Sequence, residues 1–139
     1  MKEKLIIVSI MALLFCSCSR SHDKVVIVQR DTIYVETEWS RLVSALIKVE
    51  SNGNDNAVNE VSGASGCLQL MPIYVAEANR LTNGSYTLED RFDRIKSIEM
   101  FNIIQMHHNK HMDIEKAIKL HNPGAGQWYT ERVLKQMEE

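Results

Sequence analysis

The chain has 139 residues, enough for one folded domain and a short extension. Its 45% hydrophobic and 24% charged content is that of an ordinary globular domain. A net charge of -2 lacks the basic excess that marks nucleic-acid binders, so no nucleic-acid partner is expected.

Lys2 and Lys4 precede an apolar run from Leu5 to Phe15 that only Ser9 interrupts. This reads as an export signal, because a membrane span needs about 20 apolar residues. The following Phe15-Cys16-Ser17-Cys18 resembles a bacterial lipoprotein signal, which implies cleavage before a lipidated Cys18. Phe15 stands where that family prefers leucine. Residues 1–17 are therefore assigned to a lipoprotein-type signal peptide. Residues 18–36 form a tether, in which the β-branched run Val25 to Glu36 reads as extended chain or one strand without a partner. The domain proper is expected over residues 37–139. Cys67 is then the one cysteine left, so no disulfide framework is implied. It reads as a small buried hydrophobe beside Leu68 rather than as a nucleophile.

From Thr37 the pattern is helical. Trp39, Leu42, Val43, Leu46 and Ile47 share one helix face, with Thr37 or Ser40 to cap the start and Asn52-Gly53 to stop it. Residues 52–67 read as a loop. Pro72 suits the first turn of a second helix running to about Arg80, and Thr82 to Ser85 signals a turn. One long helix is predicted over 89–111, with Phe92, Ile95, Ile98, Ile103, Ile104 and Met106 available for a core. Shorter helices follow at about 113–121 and 127–138, divided by Asn122-Pro123-Gly124-Ala125-Gly126. The predicted fold class is all-α.

Glu50 ends the apolar stripe of the first helix, three places after Ile47 and four after Leu46. Burial and the negative end of the helix dipole both disfavour a carboxylate there, so a raised pKa is expected. A glutamate with a raised pKa in a cleft suits a general acid; a frayed helix end facing water is the alternative.

The surrounding residues narrow the choice. Glu50-Ser51, then Asn54-Asp55-Asn56-Ala57-Val58-Asn59, then Gly63-Ala64-Ser65-Gly66-Cys67-Leu68-Gln69-Leu70-Met71-Pro72 resemble, in order and spacing, the lytic transglycosylase domain related to goose-type lysozyme. A later stretch, Ala117 to Gly126 followed by Trp128 to Leu134, resembles the family's third motif, with Asn122 and Gly124 matching. His121 stands in place of the family tyrosine and Pro123 in place of its alanine. A protonated histidine there would favour the charged form of Glu50 and weaken it as an acid. The link from Asn122 to Tyr129 is also shorter than in many members, which implies a reduced cleft wall.

The resemblance implies a lysozyme-like helical domain with a catalytic cleft. It implies cleavage of the β-1,4 bond between N-acetylmuramic acid and N-acetylglucosamine in peptidoglycan glycan strands, with a 1,6-anhydro product. Glu50 is the implied acid and then base. Ser51, Gln69, His121, Asn122 and Tyr129 are the implied substrate-binding residues, and Leu70 and Met71 are expected in the core. No cofactor is expected. His107 and His111 have the i, i+4 spacing of a metal pair, but no H-E-x-x-H pattern follows and no metal is expected. Two alternatives stay open: a lysozyme-type hydrolase, with Asp55, Glu60 or Glu131 as second carboxylate, and a non-catalytic glycan-binding lipoprotein. The expected molecule is an exported monomer, held to a membrane by lipid on Cys18 and facing the periplasm or cell surface.

Overall fold

The computed structural model describes residues 24–28 and 32–139. The signal-like segment and Cys18 lie outside the described residues. Strands β1 (Lys24–Val28) and β2 (Thr32–Glu36) pair antiparallel, with Lys24 opposite Glu36 and Val28 opposite Thr32. This corrects the expectation of one unpartnered extended segment. Each strand has a row of backbone N–H and C=O groups to satisfy, and the two β-branched runs satisfy one another.

Helix α1 (Glu38–Ser51) begins at a reciprocal cap. The Ser40 N–H donates to Thr37 Oγ1 at 3.1 Å, and the Thr37 N–H donates to Ser40 Oγ at 2.9 Å. Its buried face is Leu42, Val43, Ala45, Leu46 and Ile47, as the spacing predicts. It stops where Asn52 adopts the left-handed conformation, φ 54°, and returns its N–H to the carbonyls of Ile47 and Lys48. Helix α2 (Pro72–Thr82) has proline in its first turn and ends at a second left-handed asparagine, Asn83.

The predicted long helix is two elements: a 3₁₀ turn at Leu88–Phe92 and helix α3 (Arg94–His108). Asp93 makes the break. Its backbone is extended, and its Oδ1 accepts from the N–H groups of Ile95 and Lys96 at 2.9 and 3.1 Å, so it starts a new helix. The break also changes which side chains face inward. Ser97, Met100, Phe101, Ile104 and Gln105 are buried, whereas Ile95 and Met106 are exposed. Replacing Asp93 by alanine should cost about 1 kcal/mol, read as a lowered urea midpoint with the slope unchanged.

Helices α4 (Ile114–His121) and α5 (Gln127–Glu138) lie where the sequence places them. Asp113 caps α4 by accepting from the Lys116 N–H at 2.7 Å. Helix α1 packs on α5, and α2 packs on α3. Leu42, Leu46, Leu68, Met100, Phe101 and Val133 are among the fully buried side chains between them. The helical domain is therefore all-α, with the short hairpin before it.

Candidate active site

The loop between α1 and α2 is rich in Asn and Gly because it turns repeatedly without regular structure. Asn54 Oδ1 accepts from the Asn56 N–H at 3.0 Å, and Asn59 Oδ1 accepts from the N–H groups of Val61 and Ser62 at 3.0 and 3.1 Å. Gly66 sits at φ +80° with its Cα against the Arg91 carbonyl, where a Cβ would be 1.7 Å from the oxygen. The buried Arg91 guanidinium holds the loop from below, donating to the carbonyls of Gly63 at 2.8 Å and Leu70 at 3.1 Å. Ser65 and Leu70 exchange backbone bonds at 3.1 and 2.9 Å. Leu70 is turned fully inward, and Met71, at the cap of α2, is 39% exposed rather than in the core. Cys67 is wholly buried, and burial first, then the charge of Asp55, pushes its thiol pKa up; it is a hydrophobe in chemical character.

This loop and the last turn of α1 form one wall of a cleft of about 800 Å³, and α5 lines the other side. Glu50, Ser51, Asn59, Gln69 and Arg132 line it. Ser51 Oγ donates to the Cys67 carbonyl at 2.8 Å, with the Ile47 carbonyl 3.2 Å away, so it ties the end of α1 to the loop. Gln69 has a left-handed backbone, φ 49°, and its Nε2 donates to the carbonyls of Gly66 and Ala57 at 2.9 and 3.2 Å. With the amide nitrogen committed to the loop, the side-chain oxygen is the group that Gln69 can offer a ligand.

The Glu50 side chain is 16% exposed and meets two partners from distant elements. The Tyr129 hydroxyl of α5 donates to Glu50 Oε1, and His121 Nε2 of α4 is 3.6 Å from the same oxygen. The His121 side chain is only 3% exposed and stands edge-on to Tyr74 and Phe101, with ring centroids 5.9 and 5.6 Å away. It therefore backs Glu50 from inside the protein. Its Nδ1 is buried without a hydrogen-bond partner. A neutral ring keeps its one proton best on Nε2, directed at the carboxylate. At 3.6 Å the contact is longer than an ordinary hydrogen bond.

These partners reverse the expected pKa shift. Burial, the largest single influence, pushes the Glu50 carboxyl up. His121, the Tyr129 hydroxyl and the charge of Arg132 together outweigh it and hold the carboxyl below its ordinary 4.5. The raised pKa expected from periodicity and helix dipole is thus overturned, because neither signal contains the partners. Tyr129 is pushed well above the usual tyrosine range by burial and then by the Glu50 charge, so it stays a proton donor in a hydrogen bond.

The remaining sequence candidates are dispersed. Asn122 caps α4 and its carbonyl accepts from the Ala125 N–H at 3.1 Å; it is not among the residues lining the cleft beside Glu50. Asp55 pairs with Arg94 at 2.9 Å. Glu60 lines the same cleft as Glu50, and Glu131 is exposed on α5 away from it. His107 meets His108 edge-on, His108 pairs with Glu77 at 3.0 Å, and among the described residues no three metal-ligating side chains gather. Arg132 was not singled out from the sequence. Its place one turn beyond Tyr129, at i+3, was the available signal.

Among the described residues, no helix is long and apolar enough to cross a membrane. No curated protein and no solved structure matches the chain. A family model described as the transglycosylase SLT domain matches residues 31–137, which include Glu50, the loop that follows it and both of its partners. The chain belongs to the transglycosylase SLT domain family, a peptidoglycan-directed family of the lytic transglycosylase type.

Proposed function

We propose that the protein cleaves the β-1,4 bond between N-acetylmuramic acid and N-acetylglucosamine without water, with Glu50 acting twice. As an acid it protonates the leaving glycosidic oxygen while the bond to C1 breaks. As a base it then takes the proton of the muramyl 6-hydroxyl while that oxygen bonds to C1. The 1,6-anhydro ring is closed and the proton returns to Glu50. The observation that carries this reading is the cleft carboxyl of Glu50, whose Oε1 is held by Tyr129 and faced by His121, in a chain of this family.

In the open cleft the carboxylate is the favoured form, because the Glu50 pKa is lowered. A bound glycan strand displaces water and strengthens the burial effect, which favours the acid. Replacing His121 by phenylalanine keeps a ring between Tyr74 and Phe101 but removes the polar contact. Burial is then opposed by Tyr129 and Arg132 alone, so the limb of the pH profile of kcat/KM governed by Glu50 should move to higher pH. An unmoved limb would show that His121 has no hold on the acid.

A hydrolase reading rests on Glu60, which lines the same cleft and offers a second carboxylate to activate water. Digestion of purified peptidoglycan by residues 19–139, with products weighed by mass spectrometry, separates the readings. Anhydromuropeptides support the transglycosylase, and reducing ends support the hydrolase. A folded protein that yields neither acts as a glycan-binding module. The Lys2 to Cys18 segment supports export and anchoring through lipid on Cys18, facing the periplasm or cell surface. Retention of the full chain in the detergent phase, lost on Cys18→Ala, tests the anchor.

A further inference from the structure

Trp128 is 61% exposed in the first turn of α5, although an indole buries more apolar area than almost any other side chain. Its position relative to the cleft follows from helix geometry. Trp128, Arg132 and Gln136 are spaced i, i+4, i+8, so they form one stripe along α5. Arg132 and Gln136 line the cleft beside Glu50. Trp128 continues that stripe by one turn, a rise of about 5.4–6 Å, which is comparable to the length of one sugar residue in a β-1,4 chain.

The indole is also held in place. It meets the Tyr129 ring edge-on, centroids 5.9 Å apart and planes at 83°. It also lies close to Gly126, where an added Cβ would come within 3.1 Å of Trp128 Cδ1. A side chain already packed against the tyrosine that holds Glu50 loses less freedom on binding a ligand than an unpacked one. The short link from Asn122 to Tyr129 leaves this end of α5 uncovered.

We propose that Trp128 is the stacking platform of a sugar subsite, next along the cleft from the Glu50 centre, that takes the C–H-rich face of a glycan pyranose ring. The negative face of the indole attracts the polarised C–H bonds of that ring, and Arg132, one turn along the same stripe, is placed for its hydroxyl and amide groups. Continuity with the cleft commits the occupant to the same glycan strand that reaches Glu50. The inference rests on the peptidoglycan reading above.

The test uses Glu50→Gln protein, so that binding is read without turnover, and soluble glycan strands released from peptidoglycan as the probe. Titration should quench or shift tryptophan emission, and calorimetry should give the affinity. Adding Trp128→Ala should weaken binding about tenfold, whereas Trp128→Phe, which keeps a ring face, should stay within about threefold. The Phe variant should bind without the emission change, since Trp39 donates to Asn102 and packs on Phe101. Equal affinity for the Trp and Ala proteins would overturn the subsite and leave the glycan reading standing. No binding by any of the folded proteins would overturn both. An emission change that follows protein concentration rather than glycan would assign Trp128 to self-association and overturn the subsite.

Discussion

Replacing Glu50 by glutamine is expected to slow peptidoglycan cleavage by about 10²–10⁴-fold, the range typical of removing a general acid–base group. The substitution is close to isosteric. The Tyr129 hydroxyl still finds an oxygen to donate to, so the geometry of the cleft should persist. What is lost is the proton that glutamine cannot give or take. Stability should change in a pH-dependent way, and the sign follows from the lowered folded-state pKa. The ionised Glu50 contributes stability above the unfolded value of 4.5, and that contribution is lost as pH falls through the lower folded value. The wild-type advantage over Glu50→Gln should therefore shrink on acidification. Rates of muropeptide release, beside thermal melts at several pH values, check both parts. A variant retaining activity within tenfold of wild type would remove Glu50 from the mechanism.

Gly66→Ala should destabilise the domain by more than about 4 kcal/mol, a size reserved for a few mechanisms. Two of them act at this position. The backbone is left-handed at φ +80°, and the added Cβ would stand 1.7 Å from the Arg91 oxygen and 2.7 Å from its carbon. Those are backbone atoms, so no side-chain rotation relieves the clash. The loop would have to part from the 3₁₀ turn. That would break the Arg91 bonds to Gly63 and Leu70 and disturb the Arg91 carbonyl, which accepts from Ser97 Oγ at 2.7 Å. Since the same loop carries Gln69 and one cleft wall, activity should fall with the fold. Gly124→Ala is the control: its Cβ meets nothing within 4 Å, and its cost should stay within about 0.5 kcal/mol. Urea unfolding of the two variants checks the contrast, and a Gly66→Ala protein as stable as Gly124→Ala would refute the close approach.

The parts of this fold that were legible in the sequence are those encoded over one or two turns. The α1 stripe, its Thr37–Ser40 cap and its Asn52 stop depend on neighbours within four residues. Pro72 at the head of α2 and the divider before α5 are equally local. The 89–111 segment misled because its apolar residues kept a helical rhythm across Asp93, whose capping role depends on an extended backbone that the rhythm does not reveal. Met71 was misplaced because inward and outward alternation at Leu70–Met71 is set by pairing with Ser65, not by hydrophobicity.

By itself, the sequence determined the helical class, the order of the elements and the placement of Glu50 at the end of a buried stripe. These follow from periodicity, caps and a motif, which are properties of contiguous residues. Only the tertiary structure decided the chemistry of that glutamate. Its hydrogen-bond donor lies 79 residues along the chain, its histidine comes from a different helix, and together with Arg132 they reverse the effect of burial on its proton. The charge state of a carboxyl depends on what stands within a few ångströms of it, and folding alone brings those groups together.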